Sequence, residues 1–139
     1  MAFFARLHPL LVHFPIALLI AAFGAEVVVV LSGQPRWRIA ALANLGAGAV
    51  CALLAALAGW SLASQLGIES TQVLEWHRWL GTFAAGMALA AVVAAVGIRG
   101  QSRLALWSYR GVLLLAAALV AAAGHFGGVL VWGAEFLRP

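Results

Sequence analysis

The chain has 139 residues, of which 65% are hydrophobic and only 9% charged, and its formal net charge is +4. A soluble globular domain is usually about a quarter charged because its surface faces water, so this composition excludes a soluble fold. The positive charge comes from arginines that stand singly or in loose pairs beside apolar segments, a pattern that indicates membrane orientation rather than nucleic-acid binding.

Four apolar segments follow one another along the chain, and each exceeds the roughly 20 residues needed to cross the hydrocarbon layer of a bilayer. They cover residues of approximately 8–31, 37–62, 73–98 and 104–132. The connections between them are short, and Ser70 or Thr71 is placed to cap the third helix. The sequence therefore predicts an all-α integral membrane protein, a single domain over residues 1–139 folded as an antiparallel up-down-up-down four-helix bundle.

The first apolar segment is longer than the roughly 7–15 residues of a signal-peptide core. It also contains His8, His13 and Pro15, which are unusual in a cleaved signal. We expect it to be a retained span. Pro15 removes a backbone hydrogen bond to residue 11, which predicts an opening of the first helix near His13.

Arginines and aromatic residues mark the two ends of the spans. One side holds Arg36, Arg38, Arg99, Arg103 and Arg110, and the other holds Arg6, Arg78 and Arg138. The excess on the first side predicts that it is cytoplasmic, with both termini in the periplasm of a bacterial inner membrane. Aromatic belts are expected at both interfaces, one formed by Trp37, Trp107 and Tyr109 and the other by Trp60, Trp76, Trp79 and Trp132.

Histidines carry the candidate chemistry, because imidazole is a common ligand of metals and haem iron. His13, His77 and His125 come from three spans and fall at similar depths in the outer half of the bundle. We expect two of them to be the axial ligands of one b-type haem; depth favours His13 with His77, whereas the glycines around His125 favour that residue. His8 ranks last, since it is closest to water and precedes Pro9, a natural helix start.

The neighbours of these histidines favour a flat cofactor over a bare ion. Gly81 and Gly128 would leave room for a porphyrin plane, although small residues also serve close helix packing. Arg78 would meet haem propionates or anchor the helix at the interface. A hydrolytic metal centre usually needs a carboxylate ligand, and only Glu75 lies at nearly the right depth, so that site is disfavoured.

Two polar residues occupy the inner half of the bundle, Glu26 in the first span and Asn44 in the second. A buried carboxyl group needs a partner, so we expect a hydrogen bond between them. We identify no internal repeat in the sequence.

The segment from Leu7 to Ala17, with the sequence LHPLLVHFPIA, resembles the opening signature of the DUF2231 family of bacterial four-helix membrane proteins. The four-span layout and the late segment from Gly127 to Val131 are also similar to that family. The resemblance implies an electron-transfer setting, because members occur beside or fused to Rieske or c-type cytochrome domains. This sequence contains neither module, so a redox partner would be a separate chain. The haem is inferred from the histidines and is not implied by the resemblance.

These observations favour a small membrane cytochrome b that transfers electrons between a periplasmic redox partner and a quinone or another membrane subunit. The alternative is a non-catalytic accessory or anchor subunit of a larger membrane complex. A transporter ranks third, because few polar groups occupy the inner half. No nucleophile or acid–base pair indicates a hydrolase or transferase, so an electron-transfer subunit is expected more than a stand-alone enzyme.

Overall fold

The structure is a computed structural model, and it describes residues 2–67, 69–97 and 102–135. Six helices follow in chain order: α1 (Ala2–Arg6), α2 (His8–Leu11), α3 (His13–Ser32), α4 (Trp37–Leu66), α5 (Gln72–Gly97) and α6 (Arg103–Trp132). Ile98, Arg99 and Arg138, which entered the predicted spans and the arginine count, lie outside the described residues.

The first span is divided into the short α2 and the 20-residue α3, and α1 precedes it. Leu7 and Val12 separate α1, α2 and α3, yet both keep right-handed helical backbone angles. Pro15 has no N–H to donate to the carbonyl group of Leu11, and α2 ends at that residue. The helix is interrupted at Val12, next to His13, but the N–H of Val12 still donates to the carbonyl oxygen of His8 over 3.1 Å, so the expected opening is limited to this local break.

The helix ends are set by residues that the sequence makes recognisable. Gly33 ends α3 in the left-handed conformation (φ 67°), and its N–H donates to the carbonyl oxygen of Val29 over 3.0 Å. Glycine adopts this conformation without steric penalty. At the start of α5, the Thr71 hydroxyl accepts a hydrogen bond from the backbone N–H of Leu74, which confirms the predicted cap.

Four long helices pack as an antiparallel bundle in which α3 contacts α4 and α6, and α5 contacts α4 and α6. The buried residues are mostly alanine, and small side chains let the helix backbones approach closely. At Gly48 of α4, an added Cβ would lie 2.9 Å from the Leu19 Cδ2 atom of α3. Close approach of the helices therefore contributes to the packing of the bundle, together with the buried side chains of Leu19, Leu45, Tyr109 and Leu113.

All four long helices are long and apolar enough to cross a membrane, over His8–Ser32, Trp37–Gln65, Gln72–Gly97 and Arg103–Trp132. Large apolar side chains such as Leu31, Ile39, Val93 and Val131 are exposed around the bundle, as expected for contact with lipid. The predicted spans agree closely, apart from the second, which continues past Leu62 to Gln65.

The tryptophans expected in the aromatic belts are all exposed, whereas the tyrosine expected there is not. Exposed tryptophans occur at both ends of the bundle: Trp37 and Trp107 at one, and Trp60, Trp76, Trp79 and Trp132 at the other. Tyr109, expected beside Trp107 at the interface, is instead fully buried. On a helix, residues two positions apart point about 200° away from each other, so Tyr109 faces the bundle while Trp107 faces outward.

Candidate functional site at the histidine end

The imidazole rings of His8 and His77 contact each other at one end of the bundle, which we call the histidine end. The two rings come from α2 and α5, and their centroids are 5.8 Å apart with an interplanar angle of 77°. Both residues are half-buried. His77 therefore contacts His8, the histidine that was expected least as a ligand. The reason is that α1 precedes His8 and packs against α4, so His8 begins the first span without lying at a free end of the chain.

Each ring of this pair is held by a backbone carbonyl group on another helix. The Nδ1 atom of His8 lies 2.9 Å from the Ala55 oxygen of α4, and the Nδ1 atom of His77 lies 2.9 Å from the Ala123 oxygen of α6. A carbonyl oxygen only accepts, so in each ring Nδ1 must be the donor. In the neutral imidazole this leaves Nε2 with its lone pair, the form in which histidine binds a metal.

Each ring also rests on a glycine located one helical turn after its carbonyl partner. A Cβ added at Gly59 would lie 2.6 Å from the Cε1 atom of His8, and one added at Gly127 would lie 3.0 Å from the Cε1 atom of His77. Heavy atoms at 2.6 Å would overlap, so only glycine fits beside His8 in this arrangement. The two histidines thus have the same environment on two different helices.

This duplicated arrangement is also visible in the sequence, so the expectation that the chain has no internal repeat is wrong. His8, Leu11 and Phe14 have the same spacing as His77, Leu80 and Phe83. The hydrogen-bonded histidine and alanine are 47 positions apart in the first half of the chain and 46 in the second. The repeat is parallel, since α2 and α5 run in one direction and α4 and α6 in the other.

The other predicted site residues are not brought together with this pair. His13 and His125 are both exposed on the outside of the bundle, and the ring nearest to His125 belongs to Phe126, at 5.5 Å between centroids. An added Cβ at Gly81 would meet open space. Gly128 is half-buried in α6, but the glycine that contacts His77 is Gly127. The structure therefore gives a two-histidine cluster in place of a three-histidine layer.

Arg78 lies next to His77 and is engaged by aromatic and acidic side chains. Its guanidinium carbon lies 3.8 Å from the centre of the Trp60 ring, a cation–π contact, and its Nη1 atom is 3.6 Å from Glu75 Oε1. Glu75 also accepts hydrogen bonds from Ser70 and Trp79. The Arg78 Nε atom is buried and has no hydrogen-bond partner among the described residues. Arg78 is therefore held between the Trp60 ring and the Glu75 carboxylate at the histidine end.

A second polar cluster lies at the opposite, arginine end, which carries Glu26, Arg38 and Arg110. The Glu26 side chain is only 2% exposed and pairs with both arginines, at 2.8 Å from Arg38 Nε and 3.0 Å from Arg110 Nε. The predicted hydrogen bond to Asn44 is wrong, because the Asn44 amide donates to the carbonyl oxygen of Ala40 in its own helix. A carboxylate gains more from a guanidinium group than from an amide, since the charged hydrogen bond is the stronger.

The comparison with known protein families agrees with this architecture. A family model described as a predicted membrane protein, DUF2231, matches residues 5–136. The chain belongs to the DUF2231 family. The match covers both histidines of the pair and the whole arginine-end cluster, so these features lie in the DUF2231 region of the chain. Comparisons with curated proteins and with solved structures gave no match.

The histidine end of this DUF2231 chain offers two imidazole nitrogens, Nε2 of His8 and Nε2 of His77, to a metal ion or a haem iron. No group of three or more His, Cys, Asp or Glu able to hold a metal occurs in the part of the chain that the structure describes. Two imidazoles leave a zinc ion two ligands short of its usual four. Two imidazoles are sufficient to complete the coordination of a haem iron, because the porphyrin supplies its other ligands. The donor set therefore fits haem better than a bare ion.

Proposed function

We propose that this DUF2231 protein binds one b-type haem between His8 and His77 and transfers electrons within the membrane. The observation that carries the proposal is the pair of rings 5.8 Å apart, each with Nδ1 held by a backbone carbonyl oxygen. With metal–nitrogen distances of about 2.0–2.1 Å, as found for metal–histidine bonds, two imidazoles opposed on one ion have centroids roughly 6 Å apart. The ring separation is close to that value.

The residues around the pair have distinct tasks in this proposal. The carbonyl groups of Ala55 and Ala123 fix the tautomer and hold both rings, which leaves Nε2 of His8 and of His77 for the iron. Gly59 and Gly127 allow the rings to approach their helices. When bound, the haem supplies a one-electron carrier whose potential depends on its axial ligands and burial.

The bundle would have to open to admit a porphyrin. Two grooves occur elsewhere, at the arginine end, and neither borders a histidine. The helix packing beside the two rings would therefore loosen on haem binding, while each ring keeps its hydrogen bond to Ala55 or Ala123. If haem binds only the folded state, the holoprotein should be more resistant to unfolding than the apoprotein, and this difference can be measured.

The proposed partners follow from the location in the membrane. One electron would arrive from a reduced partner and leave to an oxidised one, with a periplasmic redox protein on one side and a quinone or another membrane subunit on the other. We place the histidine end at the periplasmic face of a bacterial inner membrane, on the basis of the arginine distribution. A separate redox chain or a larger membrane complex is required, because a carrier without donor and acceptor has no function.

A reduced-minus-oxidised spectrum and a pyridine haemochrome assay test the proposal directly. Protein produced with a full haem supply should show a Soret band, and His8→Ala or His77→Ala should abolish it. His13→Ala and His125→Ala are the matched controls and should retain the band, because both side chains lie outside the pair. Absence of porphyrin from the purified wild-type protein would overturn the haem, and copper or zinc in its place would keep the pair as a metal site.

A second candidate, a non-catalytic accessory subunit, is favoured by a different aspect of the same contacts. The hydrogen bonds from His8 to α4 and from His77 to α6 each join two helices. Such bonds stabilise a membrane bundle whether or not iron is present. In that case, protein free of porphyrin would still lose stability in both the His8→Ala and the His77→Ala variants.

A further inference from the structure

The arginine-end cluster has more positive charge than its own residues neutralise. One carboxylate, Glu26, faces the two guanidinium groups of Arg38 and Arg110. The carboxylate is almost fully buried, whereas the side chains of Arg38 and Arg110 are 25% and 14% exposed. One positive charge therefore remains without a counter-charge inside the cluster, and it lies on the more exposed members.

The hydrogen-bonding capacity of the arginines is also incompletely used. Each guanidinium group has about five N–H donors. The cluster uses the Nε and Nη2 atoms of Arg38 and the Nε atom of Arg110, all toward Glu26. Among the described residues, no other hydrogen bond of these two side chains is found. The remaining donors have no acceptor among the described residues, so they are available to an external one.

Two apolar grooves flank the cluster, and they differ in charge. The first groove, of about 400 Å³, lies between α4 and α5, and its lining is aliphatic or glycine apart from Arg38. The second groove, of about 360 Å³, lies between α3 and α6, and Arg110 shares its wall with Glu26. An anion in the second groove would face a carboxylate as well as a cation. The first groove offers a cation alone, so it is the complementary site for a negatively charged ligand.

The position and length of the first groove indicate what kind of anion fits. Arg38 is the second residue of α4 and follows the exposed Trp37, which places it near the membrane–water interface. From Arg38 the groove extends past Leu42 to Gly46, about 12 Å along the helix at 1.5 Å per residue. An acyl chain would lie against this aliphatic wall, with Val92 and Val96 of α5 on its other side.

We propose that the α4–α5 groove binds one anionic phospholipid, with its headgroup phosphate on Arg38 and an acyl chain along the groove. Basic pockets between transmembrane helices bind anionic lipid headgroups by this combination of charge and apolar contact. A guanidinium group also pairs with two phosphate oxygens at once, which favours arginine at such a site. The site is independent of the histidine end and exists whether or not haem is bound.

The experiment compares lipids on the purified full chain in a neutral detergent. Thermal unfolding is measured with added phosphatidylglycerol, with phosphatidylcholine of the same acyl chains, and with inorganic phosphate alone. Phosphatidylglycerol should raise the melting temperature in a saturable manner, and native mass spectrometry should show one retained anionic lipid per chain. Phosphatidylcholine and inorganic phosphate should each give a much smaller shift, because one lacks the net charge and the other lacks the acyl chain.

Two variants locate the site, and a third is the matched control. Arg38→Gln removes the surplus charge and leaves Glu26 paired with Arg110. Gly46→Leu fills the groove without changing a charge, since an added Cβ at Gly46 meets no atom within 4 Å. Both should lose the phosphatidylglycerol shift. Gly111→Leu fills the opposite groove at an equally open glycine and should retain the shift.

Several results would overturn the proposal. An equal shift with phosphatidylcholine would mean that only apolar contact matters, and a full shift with inorganic phosphate would mean that the ligand is a free anion. A shift that survives in Gly46→Leu and disappears in Gly111→Leu would place the lipid in the second groove. If Arg38→Gln does not fold, the comparison of the two glycine variants still decides the matter.

Discussion

Arg110 donates to Glu26 across the bundle, with its Nε atom 3.0 Å from Oε2, although 84 positions separate the two residues in the chain. Arg38 donates to the other oxygen of the same carboxylate from α4. Through one buried side chain, three of the four long helices are therefore tied together at the arginine end. This tie is ionic, whereas the rest of the core is apolar and consists mostly of alanine with a few larger side chains such as Leu19 and Leu113.

Glu26→Gln should destabilise the bundle strongly, because it leaves two partly buried guanidinium groups without a carboxylate. Breaking a buried ion pair by removing one partner costs about 3–5 kcal/mol. Unfolding in mixed micelles titrated with sodium dodecyl sulfate would measure the change. The control is Asn44→Ala, whose amide bonds only to the Ala40 carbonyl group of its own helix, and which should stay within about 0.5 kcal/mol. Equal effects of the two variants would contradict the ionic tie.

The burial of Glu26 and its need for a partner are predictable from the sequence, but the identity of that partner is not. Hydropathy gives the depth of a residue in a span, and Glu26 and Asn44 are at similar depths. It does not give the rotation of each helix, because spans rich in alanine, leucine and valine are apolar on every side. Arg38 and Arg110 were counted as interface residues, although a long side chain can reach from the interface to a buried carboxylate.

Gly59→Ala should be the most damaging of three matched glycine substitutions. Its methyl group would lie 2.6 Å from the ring of His8, which is pinned by its hydrogen bond to Ala55, so the ring must move and the bond must break. Stranding a buried polar group costs about 1–3 kcal/mol. Gly127→Ala, with its nearest contact at 3.0 Å, should be milder.

Gly81→Ala is the control of this series, because its methyl group meets open space and alanine is favoured over glycine in a helix by about 1 kcal/mol. Melting temperatures of the three variants give the order. If haem is bound, the Soret amplitude should follow the same order, since Gly59 and Gly127 position the proposed ligands. An undisturbed Gly59→Ala variant would show that His8 is not held as described.

Arg78→Ala tests whether this residue serves the cofactor or the bundle. Its stacking on Trp60 is worth about 0.5–2 kcal/mol, so we expect a moderate loss of stability. Arg78→Lys should lose much of the same stabilisation, because an ammonium group cannot stack as a flat guanidinium group does. If Arg78 only supports the bundle, the midpoint potential of any bound haem should be unchanged in both variants. A shifted potential with unchanged stability would instead assign it to a propionate.

Both termini should face the periplasm, because the side richer in arginine stays in the cytoplasm. Alkaline phosphatase is active only after export, so a fusion at the C-terminus should be active. The same enzyme inserted in the loop at Gly100 should be inactive. The reverse pattern would invert the assignment and place the histidine end in the cytoplasm.

The depth of a histidine in its span was predictable from the sequence, but the side of the helix on which it lies was not. The four spans and the cap at Thr71 followed from apolar length and local chemistry, both of which are encoded over a few neighbouring residues. The choice of His8 over His13 depends on which side of the first helix faces α5, and five positions on a helix change that direction by about 140°. The repeated spacing of His8 and His77 was the available signal, since equivalent residues of a parallel repeat lie around a common axis.

The duplicated arrangement around His8 and His77 also divides the chain into two helical hairpins, α3 with α4 and α5 with α6, whose helices make their most extensive contacts within each hairpin. Each hairpin enters and leaves the bilayer on the same side, so each is a complete unit of membrane insertion. Two co-expressed fragments, separated in the loop between α4 and α5, should therefore insert independently and reassemble. The histidine pair would form only on reassembly, because one fragment carries His8 and the other carries His77. Formation of the pair would therefore show that the two halves have associated.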